Sequence, residues 1–194
     1  LERSARRRRL AVKVNREGEV LVMAPERTAL VAVERFLAQA APWIERQLAL
    51  VRKRLAEHPP RRFECGELFS LLGREYELQM GPTPRREIRL IGGILVVPAR
   101  DAEHARKLLT AFYRREAARI LTEKTMLLAA QWQLAVTQVK ISQASGRWGS
   151  CSRSRSINYS WRLIQCPEPA VDYVVAHELA HCREMNHSER FYAV

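Results

Sequence analysis

The feature that most constrains this chain is the run His177-Glu178-Leu179-Ala180-His181, which a third histidine, His187, follows after a short gap. Residues four apart in a helix lie about 40° apart around its axis, so His177 and His181 would point the same way and could share a metal ion. Glu178 would lie about 100° round from His177, where a carboxylate can take a proton from a metal-bound water without binding the metal. The run therefore predicts a helix that carries a zinc site with a general base beside it.

The position of His187 requires this helix to end before it. In a continued helix His187 would lie about 9 Å past His181 and roughly 120° away around the axis, so the two could not bind one ion. We expect the chain to turn between Glu184 and His187, with Asn186 as the pivot because asparagine tolerates the left-handed conformation that ends helices. Three protein ligands would leave the fourth zinc position open for water, which is typical of a catalytic site.

Residues 1–98 are expected to form an N-terminal part of strands and helices. Residues 10–14 and 20–23 lie on either side of a turn and predict a hairpin. Helical spacing of apolar residues follows over residues 28–56, and Pro42 is expected to break this stretch into two helices. Four short runs bounded by glycine and proline predict a small antiparallel meander: residues 69–72, 76–80, 88–91 and 95–97.

Residues 99–194 are expected to form the part that carries the zinc site. Asp101 should cap a long helix that ends near residue 133 and packs behind the helix of the histidines. Strands are expected at residues 136–142 and 157–164.

The segment between these two strands, residues 147–151, combines small residues with one arginine and one tryptophan. Glycine and serine around Arg147 and Trp148 favour a backbone that approaches another group closely. We expect this segment to be an exposed edge beside the zinc site, with Trp148 packed beneath it and an extended peptide able to pair with it. A glycine-rich bend around a buried Trp148 is the purely structural alternative.

The net charge of +12 comes mostly from arginine and suggests attraction to nucleic acid, nucleotides or an acidic protein. A solvated surface explains the same charge, because the arginines are spread over the chain and no nucleic-acid-binding motif accompanies them.

Hydrophobic residues make up 47% of the chain, which is enough for the core of one domain or of two small ones. No apolar run reaches the length of a membrane span, and no signal peptide is visible. The four cysteines form no CxxC pair, which argues against a zinc ribbon and for a reducing compartment. We therefore expect a cytoplasmic protein without a membrane partner.

Several of these stretches together resemble the YgjP-like metallopeptidase family. They are residues 147–151 (Arg-Trp-Gly-Ser-Cys), 161–163 (Trp-Arg-Leu), 172–175 (Asp-Tyr-Val-Val) and 186–188 (Asn-His-Ser), besides the two-histidine run itself. The arginine-rich opening hairpin, Ala24-Pro25 and Trp43-Ile44 are similar to the N-terminal part of that family. The resemblance covers essentially the whole chain, and a more distant similarity extends to the SprT and WLM metalloproteases, some of which act at DNA.

The resemblance implies an α+β fold with a zincin-like catalytic half, in which helices back an antiparallel or mixed sheet. It also implies that His177, His181 and His187 bind one zinc ion and that Glu178 is the catalytic acid and base. Members of the family usually continue with another helical segment past residue 192, so we expect this chain to be part of a longer protein. The metzincin proteases share the histidine spacing but carry glycine where this chain has Glu184, so the resemblance does not extend to them.

We therefore predict a zinc-dependent hydrolase, specifically a peptidase that acts on a peptide or protein. Arg147, Trp148, Ser150 and Tyr192 are the candidates for contacts with the substrate, and Arg147 and Tyr192 are also candidates for stabilising an oxyanion. One rival is hydrolysis of a phosphoanhydride in a nucleotide, which the positive charge would suit, and another is a protease module associated with nucleic acid. A Cys151 nucleophile is disfavoured, because the histidines that would activate it are better used on zinc.

Overall fold

The structure, a computed structural model, describes residues 1–57, 59–82 and 87–193. It contains helices and mixed sheets, and this confirms the predicted α+β fold. Its contacts divide the chain into two compact units, Leu1–Arg61 and Arg62–Val194. The boundary expected at residue 98 lies inside the second unit. Compactness does not establish which part folds independently, so the division into 1–98 and 99–194 stays a prediction.

The first unit begins with a small three-stranded sheet. Its strands are β1 (Glu2–Ser4), β2 (Ala11–Val14) and β3 (Val20–Pro25), in the order β1-β3-β2. Strands β2 and β3 are antiparallel and form the predicted hairpin, whereas β1 pairs with β3 in parallel.

A single helix, α1 (Leu30–Glu57), completes this unit, so the predicted break at Pro42 is wrong. An internal proline removes one backbone hydrogen bond and crowds the preceding turn, at a cost of about 3 kcal/mol. Contacts on both sides of Pro42 oppose that cost. Val33 is buried with the strands, and Arg54 donates a 2.6 Å hydrogen bond to the carbonyl oxygen of Arg16 in the hairpin turn.

The second unit opens with a four-stranded sheet. Its strands are β4 (Leu68–Leu71), β5 (Arg74–Met80), β6 (Arg89–Ile91) and β7 (Ile94–Val97), in the order β4-β5-β7-β6. Strands β5 and β7 are parallel, so the predicted antiparallel meander is wrong. The arrangement places the buried side chains of Leu78, Leu95 and Val97 on the two central strands and leaves the exposed β6 at an edge.

A long helix, α2 (Ala102–Gln131), follows as predicted, and the Asp101 side chain caps it by accepting a 2.7 Å hydrogen bond from the backbone N–H of His104. The next sheet contains β8 (Gln138–Ser142), β9 (Gly149–Cys151) and β10 (Ser156–Ser160), in the order β8-β10-β9. Strand β9 is antiparallel to β10 and β8 is parallel to it.

The strand predicted over residues 157–164 ends at Ser160, so its second half is wrong. A 3₁₀ helix, Trp161–Gln165, follows it, and the Ser160 side chain accepts a hydrogen bond from the backbone N–H of Arg162. This local cap favours a helical turn where apolar residues alone favour a strand.

Helix α3 (Glu168–Ala180) carries the His-Glu-Leu-Ala-His run, and a short helix, α4 (Glu189–Tyr192), comes after the third histidine. Val171, Val175 and Leu179 form the fully buried face of α3. Lys124 of α2 forms ion pairs with Glu168 at 2.8 Å and Asp172 at 2.7 Å. These contacts hold α3 against the core and leave its histidines at the other face. In the described part of the chain, no helix is long and apolar enough to cross a membrane.

Candidate metal centre

The structure brings the three predicted histidines together. His177 lies in the last turn of α3, His181 directly follows the helix and His187 precedes α4. One ring nitrogen from each lies within 4.8 Å of the other two, and the Nε2 atoms of His177 and His187 are 3.2 Å apart. Two nitrogens bound to one tetrahedral zinc at about 2.0 to 2.1 Å would be about 3.3 Å apart. The arrangement therefore fits a single metal ion.

The hydrogen bond of His181 and the lowered pKa of His177 also suit metal binding. Nδ1 of His181 lies 3.1 Å from the carbonyl oxygen of Glu184. A proton on Nδ1 can donate to that carbonyl and leave the Nε2 lone pair for a metal. Burial, together with the neighbouring His181 and His187, lowers the pKa of His177 and favours its neutral form. Neutral imidazole is the form that binds metals.

The turn that brings His187 back begins earlier than predicted. Helix α3 ends at Ala180, and the backbone N–H groups of residues 182–184 donate to the carbonyls of Leu179 and Ala180. Asn186 is not among the described residues with a positive φ, so its predicted left-handed conformation is wrong. Instead, the Glu184 side chain accepts a 3.2 Å hydrogen bond from the Asn186 backbone and stabilises the turn.

Phe191 is a residue of the site whose role the sequence analysis missed. Its side chain is 5% exposed, and its ring centroid lies 5.0 Å from that of His177 and 4.7 Å from those of His181 and His187. The ring therefore forms an apolar wall against all three imidazoles. The one sequence signal was an aromatic residue in a short helix directly after the third histidine.

Glu178 directly follows His177 in the sequence and is buried, with 7% of its surface exposed. Burial raises the pKa of its carboxyl to about 7, and the positive charge of Arg147 opposes part of that rise. A carboxylate with a pKa near neutrality can both accept and release a proton at physiological pH.

The backbone of Gly149 lies directly against this carboxylate. A Cβ atom at Gly149 would be 2.5 Å from Cγ and 2.6 Å from Oε1 of Glu178, so the strand or the Glu178 side chain would have to shift. Strand β9 therefore approaches Glu178 as closely as only glycine permits. The close backbone approach expected from the composition of residues 147–151 is present, and the group approached is Glu178.

The predicted substrate contacts have different surroundings. Arg147 is exposed, and Ser150 is half-buried in the edge strand β9. Trp148 is 49% exposed, so its predicted packing beneath the segment is wrong. Tyr192 is 73% exposed and touches the site through the ring of Phe191, at a centroid distance of 5.2 Å.

Cys151 ends β9, and its thiol lies 3.6 Å from that of Cys182. Burial and the hydrogen bond with Cys182 raise the pKa of Cys151 to about 12. A thiol with this pKa provides almost no thiolate at neutral pH, which argues against the Cys151 nucleophile.

Three converging imidazoles and a buried carboxylate, presented by one helix and the loop after it, are typical of metal-dependent hydrolases. A family model described as YgjP-like, metallopeptidase domain, matches residues 8–194. The chain therefore belongs to the YgjP-like family, as the resemblance in sequence predicts, and its class is that of the metallopeptidase-type hydrolases. No curated protein and no solved structure shows significant similarity to the chain.

Proposed function

We propose that this protein is a zinc-dependent peptidase in which His177, His181 and His187 bind the metal and Glu178 is the general base. The observation that carries the proposal is the convergence of three ring nitrogens within 4.8 Å of one another, together with the buried carboxylate of Glu178, the residue directly after His177. Membership of a metallopeptidase family supports a metal ion and a peptide or protein substrate. Zinc held by these three histidines would supply a water of lowered pKa and would polarise a carbonyl oxygen.

Glu178 provides the proton transfer in this proposal. With a pKa of about 7 its carboxylate accepts a proton from the attacking water at neutral pH and then donates it to the departing amine. Its burial excludes competing solvent, and the contact with Gly149 limits its movement. Phe191 packs against all three imidazoles and limits their movement.

Strand β9 is the proposed docking edge for the substrate. It is the last strand of its described sheet, with β10 on one side, and its first residue contacts Glu178. An extended peptide that paired with this edge would place its backbone beside the catalytic group. Arg147, Trp148, Ser150 and Tyr192 remain the proposed substrate contacts, and the cytoplasm remains the proposed compartment.

Hydrolysis of a nucleotide phosphoanhydride is a second candidate, and one observation favours it. Arg147 is exposed, and its positive charge acts on the pKa of Glu178, so a guanidinium lies near the proposed base. Arginine suits phosphate through charge and paired hydrogen bonds. Replacing Arg147 with alanine should strongly reduce turnover of a nucleoside triphosphate but only slightly reduce that of a neutral extended peptide.

The test measures metal content and turnover in a matched set of variants. Glu178→Gln should retain one zinc per chain and lose about 10²- to 10⁴-fold in kcat on whichever substrate a peptide and nucleotide panel identifies, because only proton transfer is removed. His181→Ala should lose the zinc, whereas His104→Ala should retain it, because His104 lies on α2 outside the cluster. Undiminished zinc in His181→Ala, or wild-type turnover in Glu178→Gln, would refute the assigned roles.

A further inference from the structure

Two cysteines that the proposed chemistry does not use are in contact beside the candidate metal centre. The sulfur atoms of Cys151 and Cys182 lie 3.6 Å apart, although the residues are 31 positions apart in the sequence. Both are free thiols. Cys151 ends the edge strand β9, and Cys182 directly follows His181.

We propose that Cys151 and Cys182 form a reversible disulfide that ties strand β9 to the turn after α3. A disulfide bond is about 2.05 Å long, so the two sulfurs must approach by about 1.5 Å. Neither residue lies inside a helix: one ends a short edge strand, and the other occupies a hydrogen-bonded turn. Small backbone adjustments in these two places can supply the approach.

The other two cysteines provide internal controls. Cys65 is exposed and accepts a hydrogen bond from the backbone N–H of Met80, and Cys166 lies at the end of the 3₁₀ helix. The contact between Cys151 and Cys182 thus identifies the pair that should close into an intramolecular bond.

Hydrogen peroxide is a suitable oxidant because it is small and uncharged and can reach a half-buried thiol. Cys151 is half-buried, whereas Cys182 is only 9% exposed, so peroxide reaches Cys151 first. Because burial raises its pKa, Cys151 reacts slowly at neutral pH, through a small thiolate fraction and in excess peroxide. Its sulfur attacks one peroxide oxygen, the O–O bond breaks, and a sulfenic acid and one water form. The Cys182 sulfur then attacks the sulfenic sulfur, the S–O bond breaks, and a disulfide and a second water form. Two electrons pass from the sulfurs to peroxide, and the thiol protons end in the two waters.

The position of the pair connects this oxidation to the metal centre. Drawing Cys182 towards β9 moves the turn that carries His181, and metal ligands tolerate displacements of only about 0.2 Å. Cys151 is two residues from Gly149, which contacts Glu178. We therefore expect the oxidised protein to release zinc to a chelator several-fold faster than the reduced protein.

The experiment uses the zinc-loaded chain with Cys65→Ser and Cys166→Ser, so that the pair provides the only thiols. Excess hydrogen peroxide should remove two hydrogen masses from the intact protein, and a digest without reductant should contain one peptide pair joined through Cys151 and Cys182. Dithiothreitol should reverse both changes. Adding Cys151→Ala should abolish the cross-link. If the double variant folds poorly, differential alkylation of the four cysteines in the wild type gives the same measurement.

Two results would overturn the inference. If peroxide adds oxygen atoms to these thiols without joining them, or leaves both open to alkylation, the pair does not form the bond. If oxidised and reduced protein release zinc at equal rates, the bond does not act on the metal centre. The cross-link is detected by mass alone, so its failure is distinguishable from failure of the proposed peptidase activity.

Discussion

Gly149→Ala tests how strictly the structure positions the proposed base. The added Cβ atom would lie 2.5 Å from Cγ, 2.6 Å from Oε1 and 2.7 Å from Cδ of Glu178. Ordinary van der Waals contact with carbon begins near 3.4 Å, so strand and carboxylate must separate by about 1 Å. Glu178 is buried, so that movement displaces packed neighbours rather than solvent.

The size of the effect follows from this displacement. A misplacement of about 1 Å in a catalytic group costs on the order of 10²-fold in rate, or about 2.7 kcal/mol of transition-state stabilisation. Overpacking a buried site also costs about 1 to 3 kcal/mol of folding free energy. The glycine has no positive φ, so alanine introduces the clash without backbone strain.

The assay compares Gly149→Ala with Gly146→Ala, because a Cβ atom at Gly146 meets no atom within 4 Å and its φ is not positive either. The first variant should lose about 10²-fold in kcat/KM on the substrate that the panel identifies, retain zinc, and unfold at lower urea concentration. The control should match the wild type in all three measurements. If Gly149→Ala keeps both wild-type kcat/KM and wild-type stability, the close contact with Glu178 does not position the base.

Three further predictions concern the pH dependence, the aromatic wall and the ion pairs of α3. Glu178 binds a proton more tightly in the folded chain, where its pKa is about 7 against an ordinary 4.5. Its protonation therefore favours folding at low pH, and this contribution to stability is lost as the pH rises through about 7. Urea unfolding of the metal-free protein should show this loss in the wild type and not in Glu178→Gln. Phe191→Ala should weaken zinc binding about 10-fold or more in a chelator competition, because it removes the ring that packs against all three imidazoles. Tyr192→Ala, at an exposed residue, should leave zinc binding unchanged. Equal zinc affinities in the two variants would contradict the proposed apolar wall. Lys124→Ala should lower the free energy of unfolding by only about 1 kcal/mol, because its two carboxylate partners on α3 are half exposed to solvent. The zinc content should not change. An unchanged urea midpoint would show that the ion pairs contribute nothing to stability.

Features with local causes were predictable from the sequence alone. The spacing of His177 and His181 predicts a helix with both rings on one face, and Asp101 before an apolar periodic run predicts the N-terminus of α2. The need for a turn before His187 follows from helix geometry. Each of these depends on residues within a few positions of one another, where backbone sterics and hydrogen bonding limit the choices.

Tertiary contacts decided the features that connect distant parts of the chain. The local sequence pattern of each strand does not indicate that β5 pairs with β7 in parallel. This pairing depends on how the two strands are buried together at the centre of the sheet. Local propensity favoured a break at Pro42, but packing on both sides keeps α1 continuous. The contact of Gly149 with Glu178 and that of Cys151 with Cys182 join residues about 30 positions apart. Such contacts arise when whole helices and strands pack against one another. The free energy of that packing comes from many side chains, so no single sequence motif predicts it.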